Sequence, residues 1–123
     1  MEVRRELVLP VPVEDVWAAL TDAERLAEWF ANEVELEPEQ GGRARFRWSS
    51  GEVRRGLVVE FAPPRRLGLR WRSEDAPLEE SHVAFTLEEV PEGTLLVVVE
   101  TTSRVARDWR VGFQAPVEVG STR

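Results

Sequence analysis

At 123 residues the chain has the size of one ordinary domain and is too short for two independent cores. Its 42% apolar and 32% charged residues make a globular balance and exclude a disordered one. The net charge of −7 argues against a general binder of nucleic acid or anionic membranes, and the absence of cysteine excludes disulfides, thiolate zinc sites and cysteine nucleophiles.

No apolar run approaches the ~20 residues that span a bilayer, and the stretch from Met1 to Arg5 opens no secretion signal, so a cytoplasmic location is expected. Val3 to Leu9 is rich in Val and Leu and reads as a strand, ended by Pro10 and Pro12. The period then changes. Val13, Val16, Trp17 and Leu20 fall on one face of a short helix, with Glu14 and Asp15 favourably placed in its first turn. A second helix follows at once, with Thr21 expected as its cap, Glu24 reaching back to it, and Leu26, Trp29 and Phe30 as its apolar stripe. Two helices separated only by a cap must bend into a V.

From Val34 onward the period is two. Ala44, Phe46 and Trp48 alternate with Arg43, Arg45 and Arg47 after the Gly41–Gly42 turn, the pattern of a half-buried strand. Val53 to Phe61 is the next strand, with Leu57, Val59 and Phe61 expected on one face. In the following two, Leu67, Leu69 and Trp71, then Val83, Phe85 and Leu87, mark the apolar side, which turns His82 away from it. Pro91 to Gly93 is a hairpin turn, and Thr94 to Thr101 is the last strand. A strand, two helices and about six hairpin-linked strands make a meander that curls under its own twist, and its apolar face needs a cover.

Several stretches carry a family resemblance. The run from Val11 to Phe30, Gly41–Gly42 with the alternating strand after it, Arg55 to Leu67, and Glu80 to Leu87 before Gly93–Thr94 resemble, in order, the START-like (SRPBCC) superfamily. Within it they are most similar to homologues of the C-terminal domain of the heat-shock protein 90 ATPase activator. The resemblance implies an α+β helix-grip fold: a curved antiparallel sheet of about six to seven strands, two short helices after the first strand, and a pocket beneath a C-terminal helix. It treats residues 1–123 as one START-like domain. Such proteins bind lipids, polyketides, hormones or aromatic metabolites, and a few catalyse cyclisation or dehydration in the pocket. The branch also includes a co-chaperone, which carries a further N-terminal domain.

The tail 103–123 departs from that pattern. Val105, Trp109 and Phe113 allow a turn or two of helix from Arg104, but Gly112, Pro116 and Gly120 argue against a long one, so the C-terminal helix is expected to be shortened or absent. The pocket is then open, or a second copy of the chain covers the apolar face as a homodimer.

Catalytic chemistry is poorly represented. His82 is the sole histidine and has no nucleophile to serve; no metal-binding pattern and no cofactor motif is present. An enzymatic role is therefore left open but second to binding. The aromatic residues are the stronger signal. Trp29, Phe30, Phe46, Trp48, Phe61, Trp71 and Phe85 all fall on expected core-facing positions, where they either fill the core or line a cavity for a small, largely apolar, lipid-like or aromatic ligand. Arg55, placed inward by parity with Leu57 and Val59, is the expected polar anchor for an anionic ligand group. Nine arginines against two acids lie between Arg43 and Arg72. This stretch either forms a solvated sheet face paired with neighbouring acids or steers an acidic partner, such as a chaperone ATPase, to a basic surface.

Overall fold

The computed structural model describes residues 1–104. In chain order the elements are β1 (Glu2–Leu9), α1 (Val13–Thr21), α2 (Ala23–Trp29), β2 (Glu33–Leu36), β3 (Arg43–Arg47), β4 (Val53–Ala62), β5 (Arg66–Ser73), β6 (Ala76–Val90) and β7 (Gly93–Arg104). All seven strands join one curved, unclosed sheet in the order β1-β7-β6-β5-β4-β3-β2, and every neighbouring pair is antiparallel. This is the expected α+β helix-grip arrangement. The last strand runs on to Arg104, past the expected end at Thr101, and the short helix expected around Val105, Trp109 and Phe113 lies outside the described residues.

One sheet face is the inner one. Ala44, Phe46, Val58, Leu67, Leu69, Trp71, Val83, Phe85, Leu87 and Leu96 are buried there against Val13, Val16, Leu20 and Leu26 of the helical pair. The alternation of β3, β5 and β6 thus translates directly into a buried face, because successive side chains of a strand point to opposite sides.

The helices bend where the sequence places the bend, but the cap is one residue later. Asp22, not Thr21, has the extended backbone of a cap, and its carboxylate accepts hydrogen bonds from the backbone N–H groups of Glu24 and Arg25. Thr21 is the last residue of α1 and donates its hydroxyl to the carbonyl of Trp17. Aspartate one position on offers the same acceptor to the same orphan donors, and the helix takes the one that starts its first turn.

A β-bulge in β4 overturns the expected facing of Arg55. Val58 pairs with Leu69 while Glu60 pairs with Gly68, so Val59 is an extra residue with no partner of its own. Parity counted back from Phe61 through an unpaired residue comes out inverted. Leu57 is consequently on the outer face, 41% exposed, and Val58 takes the inward position, buried beneath the helices. Val58 is also tied on its other side to the Gly41–Gly42 turn, accepting a hydrogen bond from the N–H of Gly41 and donating one to the carbonyl of Gly42. Gly41 has φ +82°, and a Cβ on Gly42 would run into the carbonyl of Glu37.

Candidate functional site

The inner face divides into a filled floor and an open margin. Phe46, Trp71 and Phe85 are buried in the floor. Around Phe46 and Trp71 the rings of Phe30 and Trp48 complete an aromatic cluster with centroid separations of 5.2 to 6.3 Å, most of them edge-on. The indole of Trp48 is fixed by a hydrogen bond from its Nε1 to the carbonyl of Phe30 at 2.8 Å, which ties the start of the β3–β4 hairpin to the end of α2. Trp29, next along, is 52% exposed, with its Nε1 donating to the carbonyl of Ala19 and its ring against Phe30. Phe61 belongs elsewhere, paired with Trp17 of α1 at 5.4 Å. Seven of the eight residues expected at the site therefore fall on the inner face or its rim, six of them in two groups: Phe30, Phe46, Trp48 and Trp71 together with Trp29 beside them, and Phe85 deeper in the sheet. Phe61 is an inner-facing outlier, and the eighth is Arg55.

Arg55 is on the outer face. Its guanidinium is bonded to Glu74 at 2.6 Å, and it stands opposite Arg72 in the ladder. An inward-facing arginine does exist, one residue earlier. Arg54 pairs in register with Phe46 and shares its face. Its guanidinium carbon stands 5.1 Å from the ring centroid of Trp71 and 5.7 Å from that of Trp48, within cation–π range. Its Nε donates to Glu52 at 2.9 Å and its Nη1 to Glu100 at 3.4 Å. Glu100 is on β7, so this bridge reaches over β5 and β6 and closes one end of the inner face. Beside it the hydroxyls of Ser81 and Thr102 bond to each other at 2.8 Å. That end of the face is polar, and the floor beyond it is apolar. The hairpin pairing was the available signal for Arg54: a tight loop at Ser49 to Gly51 sets it opposite Phe46. Nothing local points to Glu100.

Along the β1 edge apolar groups remain in the open. Val3 and Leu7 of β1 pair with Glu100 and Leu96, which puts them on the inner face, yet they are 43% and 55% exposed; Arg5 stands between them on the same face, exposed and opposite the partly buried Val98.

The outer face is a lattice of ion pairs. Glu33, Glu35 and Glu37 bond Arg47, Arg45 and Arg43 across β2 and β3, Arg66 bonds Glu60, Arg65 bonds Glu89, and Arg70 and Arg72 share Glu80. With Arg55 on Glu74, eight of the nine arginines from Arg43 to Arg72 have a carboxylate partner on this side, the solvated paired face that was one of the two expectations, and the ninth, Arg54, has its partners on the inner face. An open recess of about 770 Å³ lies on this side, with Leu57 and the paired Arg43, Arg55, Arg70 and Arg72 among its lining. His82 is exposed here, opposite Arg70, as expected. Among the described residues no group of His, Asp and Glu is arranged to hold a metal ion, and no helix is long and apolar enough to cross a membrane.

Known proteins agree with this architecture. Protein MLL2253 from Mesorhizobium loti matches with a TM-score of 0.76 and 27% identity over 90% of this chain and 82% of its own. DynU16, encoded in the dynemicin biosynthetic locus, is 31% identical with a TM-score of 0.73; 89% of this chain is covered, which spans 39% of that one. CalU16 from Micromonospora echinospora is 30% identical, with a TM-score of 0.63 over 85% of this chain and 60% of its own. No curated protein matches. The family model described as activator of Hsp90 ATPase homolog 1-like protein matches residues 10–120, and the chain belongs to that family, within the START-like superfamily.

Proposed function

We propose that the inner face binds a small, largely apolar ligand, lipid-like or aromatic, between the sheet and the helical pair. The observation that carries this reading is the apolar surface left open on that face: Val3 and Leu7 at one margin and Trp29 at the other, flanking a packed aromatic floor. Such surface is costly in water and marks a place where something binds, at roughly 25 cal/mol per Å² of apolar area removed from solvent. Phe30, Trp48 and Trp29 form the accessible wall, and Phe46, Trp71 and Phe85 the floor behind it. Family membership supports the reading, as does the likeness to DynU16, a protein from the dynemicin biosynthetic locus. The experiment is titration of the purified full chain with the neutral dye Nile red, together with native mass spectrometry of the protein as isolated. A blue-shifted, saturable dye signal that Leu7→Glu weakens supports the reading; no signal and no co-purifying mass sink it.

A catalytic reading keeps one specific observation. Glu52 and Glu100 bring ionisable carboxylates onto the inner face, where cyclisation or dehydration would need an acid or base. It requires a bound compound to change mass on incubation, whereas simple binding returns it intact. The open margin also fits a second copy of the chain, and sedimentation equilibrium with wild type and Leu7→Glu separates a homodimer from a ligand-bearing monomer. A co-chaperone role through the basic outer face is the weakest of these, since every arginine there already has a carboxylate partner. Its reading requires the triple charge reversal of Arg43, Arg45 and Arg47 to abolish capture of a chaperone ATPase.

A further inference from the structure

At the polar end of the inner face Arg54, Glu52 and Glu100 together carry one positive and two negative charges, all three side chains about one-third exposed. Each carboxylate uses its Oε2 on Arg54, and the described residues place no donor on either Oε1. Arg54 in turn spends Nε and Nη1 on these carboxylates, which leaves Nη2 as a donor. A second observation lies under the guanidinium. Trp71 is 5% exposed, and among the described residues its buried Nε1–H meets no acceptor. An unmet buried donor beneath the guanidinium is unfavourable, and it leaves that end of the floor short of an acceptor.

We infer that this end of the face recognises a neutral hydroxyl, an alcohol or phenol, at the tip of an apolar ligand, and disfavours a carboxylate. A hydroxyl both donates and accepts, so it can give its proton to Oε1 of Glu100 or Glu52 and take a hydrogen bond from Nη2 of Arg54. A carboxylate satisfies only the donors. It then stands within a few ångströms of two like charges in a partly desolvated site, whose bonded cation among the described residues is Arg54. An anionic head is therefore what the arginine alone would select and what its two partners reject.

The inference rests on the inner face being a ligand site, and the test separates the two. Nile red is bound to the full chain and displaced by decanol or decanoate, which share a tail and differ in the head. Because decanoate is intrinsically the more hydrophilic, the informative quantity is the decanol-to-decanoate ratio in wild type against Glu52→Gln/Glu100→Gln. The double variant removes both like charges and keeps the shape. It should gain affinity for decanoate by about tenfold and lose a few-fold for decanol. Glu52→Gln alone leaves the Arg54–Glu100 bridge in place and should shift the ratio partway, which covers the case of a double variant that does not fold. An unchanged ratio with the dye still bound overturns the inference and leaves the ligand site standing. No dye binding in wild type removes both.

Discussion

Arg54 and Arg55 are adjacent, chemically identical, and separated by the whole thickness of the sheet. Arg55 makes an exposed pair with Glu74, of the kind worth at most about 1 kcal/mol, so Arg55→Ala should leave the urea midpoint nearly unmoved. Phe46 stands at the other extreme, fully buried and in edge contact with Trp71. Phe46→Ala should cost about 3–5 kcal/mol, read as a large fall in the urea midpoint, because lost burial and a residual cavity add. Most of the aromatic floor was legible in the sequence, since Phe46, Trp71 and Phe85 each sit in a clean alternating run. The polar end was not. Arg54 meets Glu100 across two intervening strands and 46 positions of sequence, a distance over which no local pattern carries information.

At the scale of elements, α2 is only seven residues long and depends on its cap more than a longer helix would. Asp22→Ala should destabilise the protein by about 1 kcal/mol, and Asp22→Asn by much less, in paired urea titrations. Gly56 is a second local constraint. A Cβ there would fall on the carbonyl oxygen of Arg70 and within 2.8 Å of the Trp71 Cα, so β4 and β5 would have to separate. Gly56→Ala should therefore cost at least about 1–3 kcal/mol and disturb the near-ultraviolet circular dichroism of Trp71. Strand order, helix positions and the inward faces of β3, β5 and β6 follow from period and turn residues. The facing of β4 does not, because a bulge leaves no mark in composition: Val59 looks like any other valine of a strand until its neighbours are paired.

Across the whole molecule, charge is arranged by face. The outer side exposes its arginines and glutamates in alternate positions of neighbouring strands, and exposed pairs of this kind are screened readily. Raising sodium chloride to about 0.5 M should lower thermal stability only slightly, whereas it should leave dye binding on the apolar inner face unchanged or strengthened. The sheet order has a consequence in time as well as in space. Glu2 pairs with Thr101, so β1 joins the sheet through a contact nearly a hundred residues long, while β3 to β7 are linked by hairpins. Closing so large a loop is entropically late, and β1 is an edge with one neighbour. On the ribosome the first strand made must wait for the seventh before it has anything to pair with, and in the finished protein it should be the first to let go. Amide hydrogen exchange should show this as β1 exchanging well before β5 and β6, and equal protection across the three strands would mean that the sheet opens only as one unit.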